Sequence, residues 1–183
     1  MGKRNCSFLT SDKIFGLTAM LISLVTLVIF VRQTNIMDKQ SRLSALPYLM
    51  VEQSTNSTQH RIQFSLVNHG VGPAIIESRK IVYQGKEYDQ DFYQFITQNL
   101  PALDTIEPFN WSNVYTGQAI PNGGRIVMAA LGNDSISYGI AVKTFQNLLA
   151  LKDEGDFYFE IIYTSIYGDR WRLSTNLKIP ENT

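Results

Sequence analysis

The sequence of 183 residues predicts a mainly β protein with one N-terminal transmembrane helix. The first observation behind this prediction is a run of 18 uncharged residues from Ile14 to Val31. At about 1.5 Å of rise per residue, a helix of this length just crosses a hydrocarbon core of roughly 30 Å. The second is a series of short segments after Pro47 in which apolar residues alternate, as is typical of half-buried strands.

The apolar run is interpreted as an uncleaved anchor. A signal peptide has a shorter apolar region, of about 7–15 residues, and then small residues at a cleavage site. The residues after Val31, RQTNIM, contain no such small-residue pair. A core helix would carry a polar stripe, but this run has only Thr18, Ser23 and Thr26, whose hydroxyls can bond back to their own helix. The predicted divisions are a tail (1–13), the transmembrane helix (14–31), a helical neck (32–46) and a β domain (47–183).

Charge and cysteine content restrict the function of the predicted β domain. Residues 1–46 carry a net charge of +4, whereas residues 47–183 carry −4. An acidic domain is a poor candidate for nucleic acid binding, which begins with phosphate neutralisation, so no nucleic acid partner is expected. Cys6 is the only cysteine, and the domain therefore has no disulfide and no thiolate metal site. The predicted partners are the lipid bilayer and another protein.

The charges beside the apolar run favour a cytoplasmic N-terminus, but they are nearly balanced. Three basic residues precede the run and three follow it: Lys3, Arg4 and Lys13, then Arg32, Lys39 and Arg42. The first three lie on a tail too short to form a domain, and two of the last three lie more than a helical turn beyond the run. We therefore expect the β domain to be exported.

One face of the predicted transmembrane helix carries small residues. Gly16, Ala19, Ser23 and Thr26 follow one another at spacings of three, four and three. Small residues in such a row let two membrane helices approach closely, although the sequence has no strict GxxxG motif. The face suggests a homo-oligomer formed through the membrane helix.

The domain shows seven strand-like segments and two helical insertions. The strands are predicted at 48–52, 60–68, 74–83, 114–120, 125–131, 157–163 and 171–177, and the helices at 91–100 and 135–152. The apolar side of the second helix is assigned to Ile140, Phe145, Leu148, Leu149 and Leu151. This order favours a β-sandwich of immunoglobulin-like or fibronectin-like size, with a small β-barrel as the alternative.

Two turn patterns carry a resemblance. The first is Asn68, Gly70, Gly72, Pro73 and Ala74 (N-x-G-x-G-P-A); the second is Tyr163, Ser165, Tyr167, Gly168, Asp169 and Trp171 (Y-x-S-x-Y-G-D-x-W). Together with Gln33-Thr34-Asn35, Gln40 and Pro47-Tyr48-Leu49, they resemble a loose group of uncharacterised bacterial proteins with one N-terminal span and a small β domain. The resemblance implies a bacterial inner-membrane protein and implies no activity.

Enzymatic and metal sites find little support. His60 and His69 are the only histidines, and nine residues of extended chain would separate them by about 30 Å, too far to share a metal. The acidic turn Asp153-Glu154-Gly155-Asp156 lacks the alternating ligands of an EF-hand loop. No nucleophile elbow, zinc-protease motif or P-loop occurs. We therefore expect no enzyme activity, no cofactor and no metal.

Aromatic residues provide the best candidate binding surface. Tyr163 and Trp171 alternate with apolar neighbours in the last hairpin and are assigned to the core. Trp111 lies in an irregular loop, and long loops on a rigid β scaffold often carry function. The predicted partner contacts are Trp111, Asn110 and Tyr115.

Two functions fit these observations. The first is a non-enzymatic binding or assembly module that displays its β-sandwich outside the cytoplasm. The alternative is a membrane effector or sensor of a bacterial antiviral defence system, whose β domain binds a signal in the cytoplasm. Such effectors usually have two or more spans, and this domain shows no evident phosphate pocket. The orientation in the membrane distinguishes the two functions.

Overall fold

The computed structural model describes residues 11–153 and 156–183. The chain divides into two compact units, Met1–Leu43 and Ser44–Thr183. Most of the predicted tail, with Cys6, lies outside the described residues, as do positions 154 and 155 of the acidic turn.

Helix α1 (Ser11–Ser44) accounts for the first unit. By length and composition it can cross a membrane, and none of its residues is buried. Its hydroxyls bond back to the helix: Ser23 donates to the Ala19 carbonyl and Thr26 to the Ile22 carbonyl, both at 2.8 Å. The helix continues through most of the predicted neck and ends at Ser44, three residues before Pro47. The residue before a proline disfavours the helical conformation, so the helix cannot easily continue to Pro47.

The second unit contains nine strands and two helices among its described residues. In chain order they are β1 (Leu49–Asn56), β2 (Arg61–Asn68), β3 (Ala74–Tyr83), β4 (Lys86–Tyr88), α2 (Phe92–Asn99), β5 (Ala119–Ile120), β6 (Arg125–Gly132), α3 (Ser135–Asp153), β7 (Phe157–Thr164), β8 (Arg170–Ser174) and β9 (Glu181–Asn182).

The strands form two antiparallel sheets around one apolar core. The first sheet has the order β1-β2-β6, and the second has the order β4-β3-β7-β8-β9, with β5 also pairing with β3. Along β7, buried residues alternate with half-buried ones, so one face of this strand lies on the core. The arrangement is sandwich-like. The barrel alternative is wrong, because the described strands form two separate sheets rather than one closed sheet.

The two helices connect the sheets through packed phenylalanine rings. Helix α3 contacts β2 and β6 in the first sheet and β7 in the second. The ring of Phe145 on α3 lies 4.3 Å from that of Phe64 on β2, and the ring of Phe92 on α2 lies 6.0 Å from that of Phe159 on β7, measured between centroids. The helical insertions are therefore part of the core.

The buried side of α3 differs from the predicted one. Ala141, Phe145 and Leu148 are buried at helical spacing, whereas Ile140 and Leu149 are 38% and 41% exposed. A small side chain at position 141 lets the helix lie close to the sheets. Ile140 and Leu149 lie on either side of the face formed by Ala141, Phe145 and Leu148, and are therefore partly exposed.

Three strand predictions are wrong in extent. The strand predicted at 171–177 ends at Ser174. Strand β1 continues four residues past the predicted end, to Asn56, because its whole length pairs with β2. The segment 114–120 contains strand only at Ala119–Ile120. A turn precedes it, in which Gly117 has a φ of 83° and donates its N–H to the Ile76 carbonyl at 2.7 Å.

The buried amide of Asn68 joins three segments of the chain. Its Oδ1 accepts the N–H groups of Tyr48 (3.1 Å) and Gly70 (2.9 Å). Its Nδ2 donates to the carbonyls of Gly72 (2.8 Å) and Ile120 (2.9 Å). The side chain is fully buried, and all four bonds go to backbone groups. We call this arrangement the Asn68 clamp.

Two glycines of the same turn allow the backbone to pass close to the start of the domain. A Cβ atom at Gly72 would lie 2.0 Å from the carbonyl oxygen of Ala45, and one at Gly70 would lie 2.3 Å from that of Leu46. Instead, the N–H groups of Val71 and Gly72 donate to the Leu46 carbonyl. The first turn pattern therefore closes the β2–β3 turn onto the residues that follow α1.

The second turn pattern is explained by the β7–β8 turn. Ser165 is 3% exposed, and its hydroxyl oxygen accepts the N–H groups of Tyr167 (3.2 Å) and Asp169 (3.1 Å). Gly168 supplies the left-handed residue of the turn, with a φ of 79°. This hydrogen bonding is the turn chemistry expected for an aspartate and a serine at such spacing.

Tyr163 is fully buried, as the alternation predicts, but Trp171 opposite it is only half-buried at the edge of the core. The hydroxyl of Tyr163 accepts the N–H of Leu49 at 3.4 Å, a contact between the second sheet and β1. Burial raises the pKa of Tyr163 to about 12, although the Leu49 hydrogen bond opposes the rise.

Replacing Asn68 by alanine is expected to lower the free energy of unfolding by about 3–5 kcal/mol, because four buried backbone groups lose a partner. Urea unfolding of the full-length protein in detergent, followed by tryptophan fluorescence, measures the change. Asn147→Ala is the matched control, since Asn147 is exposed on α3, and we expect it to change stability by less than about 0.5 kcal/mol. Equal stability of the two variants would contradict the clamp.

Tyr163 is expected to make the domain less stable as the pH rises from 10 to about 12. In the unfolded chain the phenol ionises near pH 10.0, whereas burial keeps it neutral in the folded state up to about pH 12, so deprotonation favours unfolding in this interval. Melting temperatures of the parent and of Tyr163→Phe measure the effect. The melting temperature of Tyr163→Phe should be lower than that of the parent at neutral pH and should fall less above pH 10. Equal falls in the two proteins would contradict the role of Tyr163 ionisation.

Candidate functional site

A loop with exposed aromatic residues lies on the outer edge of β6. The Ala130 N–H donates to the Asn110 carbonyl at 2.9 Å, and the Phe109 N–H donates to the Ala130 carbonyl at 3.1 Å. Trp111 stacks on Tyr93 of α2, with ring centroids 4.9 Å apart and planes 21° apart. We call Tyr93, Phe109, Asn110 and Trp111 the aromatic ledge. The segment predicted to be irregular is therefore fixed to the sheet and to a helix.

The ledge keeps its side chains accessible. Trp111 is 46% exposed although its ring is stacked, and the guanidinium carbon of Arg61 lies 4.5 Å from the centroid of Phe109. Tyr115, the third predicted contact, is exposed in the next turn, where its N–H donates to the Gln118 side chain at 3.0 Å. The sequence did not indicate Tyr93 or Arg61, because both reach the ledge from elements distant along the chain.

A buried ion pair holds the chain between the ledge and Tyr115. Asp91 pairs with Arg79 of β3, and its Oδ1 also accepts the N–H of Val114 at 3.2 Å. Asp91 is 6% exposed and Val114 is 3% exposed. Burial lowers the pKa of Arg79, and the nearby Asp89 and Tyr115 oppose this decrease. The pair thus ties the first residue before α2 to the turn that carries Tyr115.

A second site is a cavity of about 230 Å³, which we call the apolar cleft. It is bounded by β1, β2 and β6 of the first sheet, by α2 and α3, by β7 and β8 of the second sheet, and by the connection 175–180 that follows β8. Of its 17 lining residues, 13 are apolar. Five of these are phenylalanines, at positions 64, 92, 145, 157 and 159, and two are Met50 and Met128. Methionine side chains adapt their shape readily, which suits a cleft that accepts ligands of different length.

The polar residues of the cleft are Gln53, Ser174, Thr175 and Lys178. The hydroxyl oxygens of Thr175 and Ser174 accept backbone N–H groups, from Phe159 at 3.0 Å and from Asn176 at 3.4 Å. Gln53 and Lys178 are exposed at the rim, and Lys178 forms no ion pair with the described residues. The lining therefore includes one cation and no acid.

Glu52 follows a lining residue in sequence but belongs to another cluster. Its carboxylate contacts Nε2 of His69 and a guanidinium nitrogen of Arg125, each at 2.7 Å. The hydrogen bond with His69, followed by that with Arg125, lowers the pKa of Glu52 against the opposing effect of burial. None of Glu52, His69 and Arg125 lines the cleft, so this cluster is separate from it.

No cluster of metal-binding side chains occurs in the part of the chain that the structure describes. No group of three or more histidine, cysteine, aspartate or glutamate side chains lies close enough to hold a metal within 11–153 and 156–183. His60 lies against the ring of Tyr138, with centroids 5.8 Å apart, and not beside His69. The acidic turn Asp153–Asp156 falls partly outside the described residues.

On α1, the predicted packing face consists of Gly16, Ala19, Ser23 and Thr26. A Cβ atom added at Gly16 would meet no atom within 4 Å, so this part of the face is open. Ser23 and Thr26 line a shallow groove with Ile22, Leu27 and Phe30. Self-association through this face stays a prediction.

Comparison with protein-family models, with curated proteins and with solved structures found no match for this chain. The functional conclusions therefore depend on the residues and geometry described above.

Proposed function

We propose that the protein is a membrane-anchored, non-enzymatic binding module whose β domain is displayed outside the cytoplasm of a bacterial cell. Helix α1 anchors it in the inner membrane, and the aromatic ledge contacts a partner protein. The observation that carries the proposal is Trp111, which is 46% exposed on a support formed by Tyr93 and the edge of β6. We also propose that the domain has an immunoglobulin-like or fibronectin-like topology and belongs with the bacterial single-pass proteins that share its two turn patterns.

The ledge has the physical properties of an interface anchor. Tryptophan, tyrosine and arginine are enriched among the residues that dominate binding energy at interfaces. The ledge presents Trp111 stacked on Tyr93. A stacked ring loses little conformational freedom when a partner covers it. The exposed side chain of Asn110 adds a hydrogen-bonding group next to Trp111, since its pairing with β6 uses only backbone atoms.

A specific observation favours the second candidate function, a membrane effector or sensor of an antiviral defence system with a cytoplasmic domain. The apolar cleft is a ligand-sized cavity within the β domain, and a sensor requires such a site. An apolar lining fits an apolar signal better than the charged nucleotides that many defence systems use. Membrane orientation separates the two candidates.

A photo-crosslinking amino acid placed at position 110 tests the ledge. We expect a specific protein adduct in cells, and we expect Trp111→Ala to reduce its yield at least tenfold, because a central aromatic anchor contributes about 2 kcal/mol or more. Ile166→Ala is the matched control, since Ile166 is 55% exposed in the β7–β8 turn. Loss of the stack costs only about 0.5–1.5 kcal/mol, so Trp111→Ala should remain folded. An adduct yield in Trp111→Ala equal to that of the parent would show that the ledge is not the partner contact.

Membrane orientation is expected to place the C-terminus outside the cytoplasm. A C-terminal alkaline phosphatase fusion should be active and a C-terminal green fluorescent protein fusion should be dark. An independent measurement uses Cys6→Ser, which removes the only cysteine, together with Ile166→Cys. A membrane-impermeant maleimide should label this variant in intact spheroplasts. Labelling only after lysis would reject the exported module and favour the cytoplasmic sensor.

A further inference from the structure

We propose that the apolar cleft binds a single unbranched alkyl chain that carries an anionic head group, with the chain inside the cleft and the head beside Lys178. The proposal concerns different residues from the aromatic ledge and holds for either orientation of the membrane helix. It can therefore fail while the proposed protein contact stands, and the reverse is equally true.

The size of the cleft fits one chain. An engineered apolar cavity of about 150 Å³ stays dry and binds benzene, whereas pockets for drug-sized ligands begin near 300 Å³. At about 230 Å³ the cleft lies between these limits. It has room for about seven or eight groups the size of a water molecule, which corresponds to a chain of about eight carbons or to the end of a longer one. A two-chain phospholipid would not fit inside.

The walls of the cleft fit an alkyl chain chemically. Phe92, Phe145 and Phe159 are 2–7% exposed and form the deep wall. The hydroxyl groups of Ser174 and Thr175 already accept backbone hydrogen bonds. Because the phenylalanine side chains of the deep wall offer no hydrogen-bonding group, a polar ligand would lose hydration there, whereas an alkyl chain has none to lose.

The rim favours an anionic head. Residues 47–183 carry a net charge of −4, yet the lining includes Lys178 and no acid. The nearest acid in the sequence of β1, Glu52, is bound to His69 and Arg125 and does not line the cleft. A carboxylate or phosphate at the mouth thus meets one cation that has no ion-pair partner in the described chain.

Membrane attachment supplies such a ligand. The domain is covalently joined to a helix long and apolar enough to cross a bilayer. Free fatty acids and those lysophospholipids that lack an amine in the head group both consist of a single chain with an anionic head, and both are found in bilayers. They share the chemistry that the cleft recognises, and the experiment below separates them.

The test uses the full-length protein in polymer-bounded bilayer discs, because detergent chains would compete for the cleft. The probe is decanoic acid with a diazirine near its methyl end, and mass spectrometry locates the label after irradiation. We score the ratio of label on cleft residues to label on α1, so that partition of the probe into the bilayer cancels. We expect label on cleft residues such as Met50 and Phe145.

Two residues of α3 provide matched variants. Leu149 lines the cleft and is 41% exposed, whereas Ile140 is 38% exposed and does not line it. Leu149→Trp should reduce the ratio at least tenfold by filling the cleft, and Ile140→Trp should change it less than twofold. Met50→Trp fills the cleft from the opposite wall and should behave as Leu149→Trp does. Thermal melts identify any variant that is unfolded.

Competition defines the ligand. Among saturated acids of six to twelve carbons, competition at a given free aqueous concentration should strengthen about fourfold per added methylene until the cleft is full, after which the gain should level off. Decanoic acid should compete at least threefold better than decanol, and Lys178→Gln should remove this preference. Stronger competition by an anionic lysophospholipid than by a fatty acid of equal chain length would identify the ligand as a lysophospholipid. The reverse order would identify it as a fatty acid.

Three results would overturn the proposal. One is label confined to α1, and another is equal label in the parent and in both filling variants. The third is displacement of the probe by an apolar peptide but not by acids of eight to twelve carbons. This result would mean that the cleft binds an apolar side chain of another protein.

Discussion

The buried amide of Asn68 is the interaction on which the arrangement of the domain depends. It holds the chain that enters β1, the β2–β3 turn and the end of β5 together through four backbone hydrogen bonds. An aspartate would lose both donors at this site and a leucine would lose every bond, so the position requires an amide. Because Tyr48 directly precedes β1, the clamp also fixes where β1 starts its pairing with β2. A slip of one residue would turn the side of β1 that carries the buried Leu49 toward solvent.

The first sheet has two edges, and each edge carries one of the candidate sites. The outer edge of β6 is covered by Phe109 and Asn110, and the residues that cover it present Trp111. The outer edge of β1 pairs with no other described strand, and the apolar cleft opens beside it. Exposed edges attract further chains unless they are covered or made polar, and the far half of β1 is exposed and polar. The cleft therefore lies at the edge that pairing leaves open.

Features determined by local sequence were predictable, and features determined by distant contacts were not. The alternation of Phe157, Phe159, Ile161 and Tyr163 gave the correct strand and face, because strand periodicity is a local property. The segment 114–120 has the composition of a strand, but Asp91 and the Ile76 carbonyl hold most of it in a turn.

The candidate sites show the same division. Trp111 could be identified because it is a tryptophan in a loop, whereas its stacking partner Tyr93 lies 18 positions away on a helix. The cleft could not be predicted at all. Its walls come from α2, α3 and both sheets, which are distant along the chain.

The proposed membrane anchor changes how much affinity each site needs. A partner or ligand held in the same bilayer meets the domain at an effective concentration that reaches about the millimolar range for short flexible linkages. A ledge with one dominant aromatic anchor then suffices, although a contact of this kind would be weak between freely diffusing proteins. The same holds for a cleft that takes one short chain, since the binding energy of about eight methylenes is limited but the supply of chains in a bilayer is large. The small size of both sites is therefore consistent with a protein that works attached to a membrane.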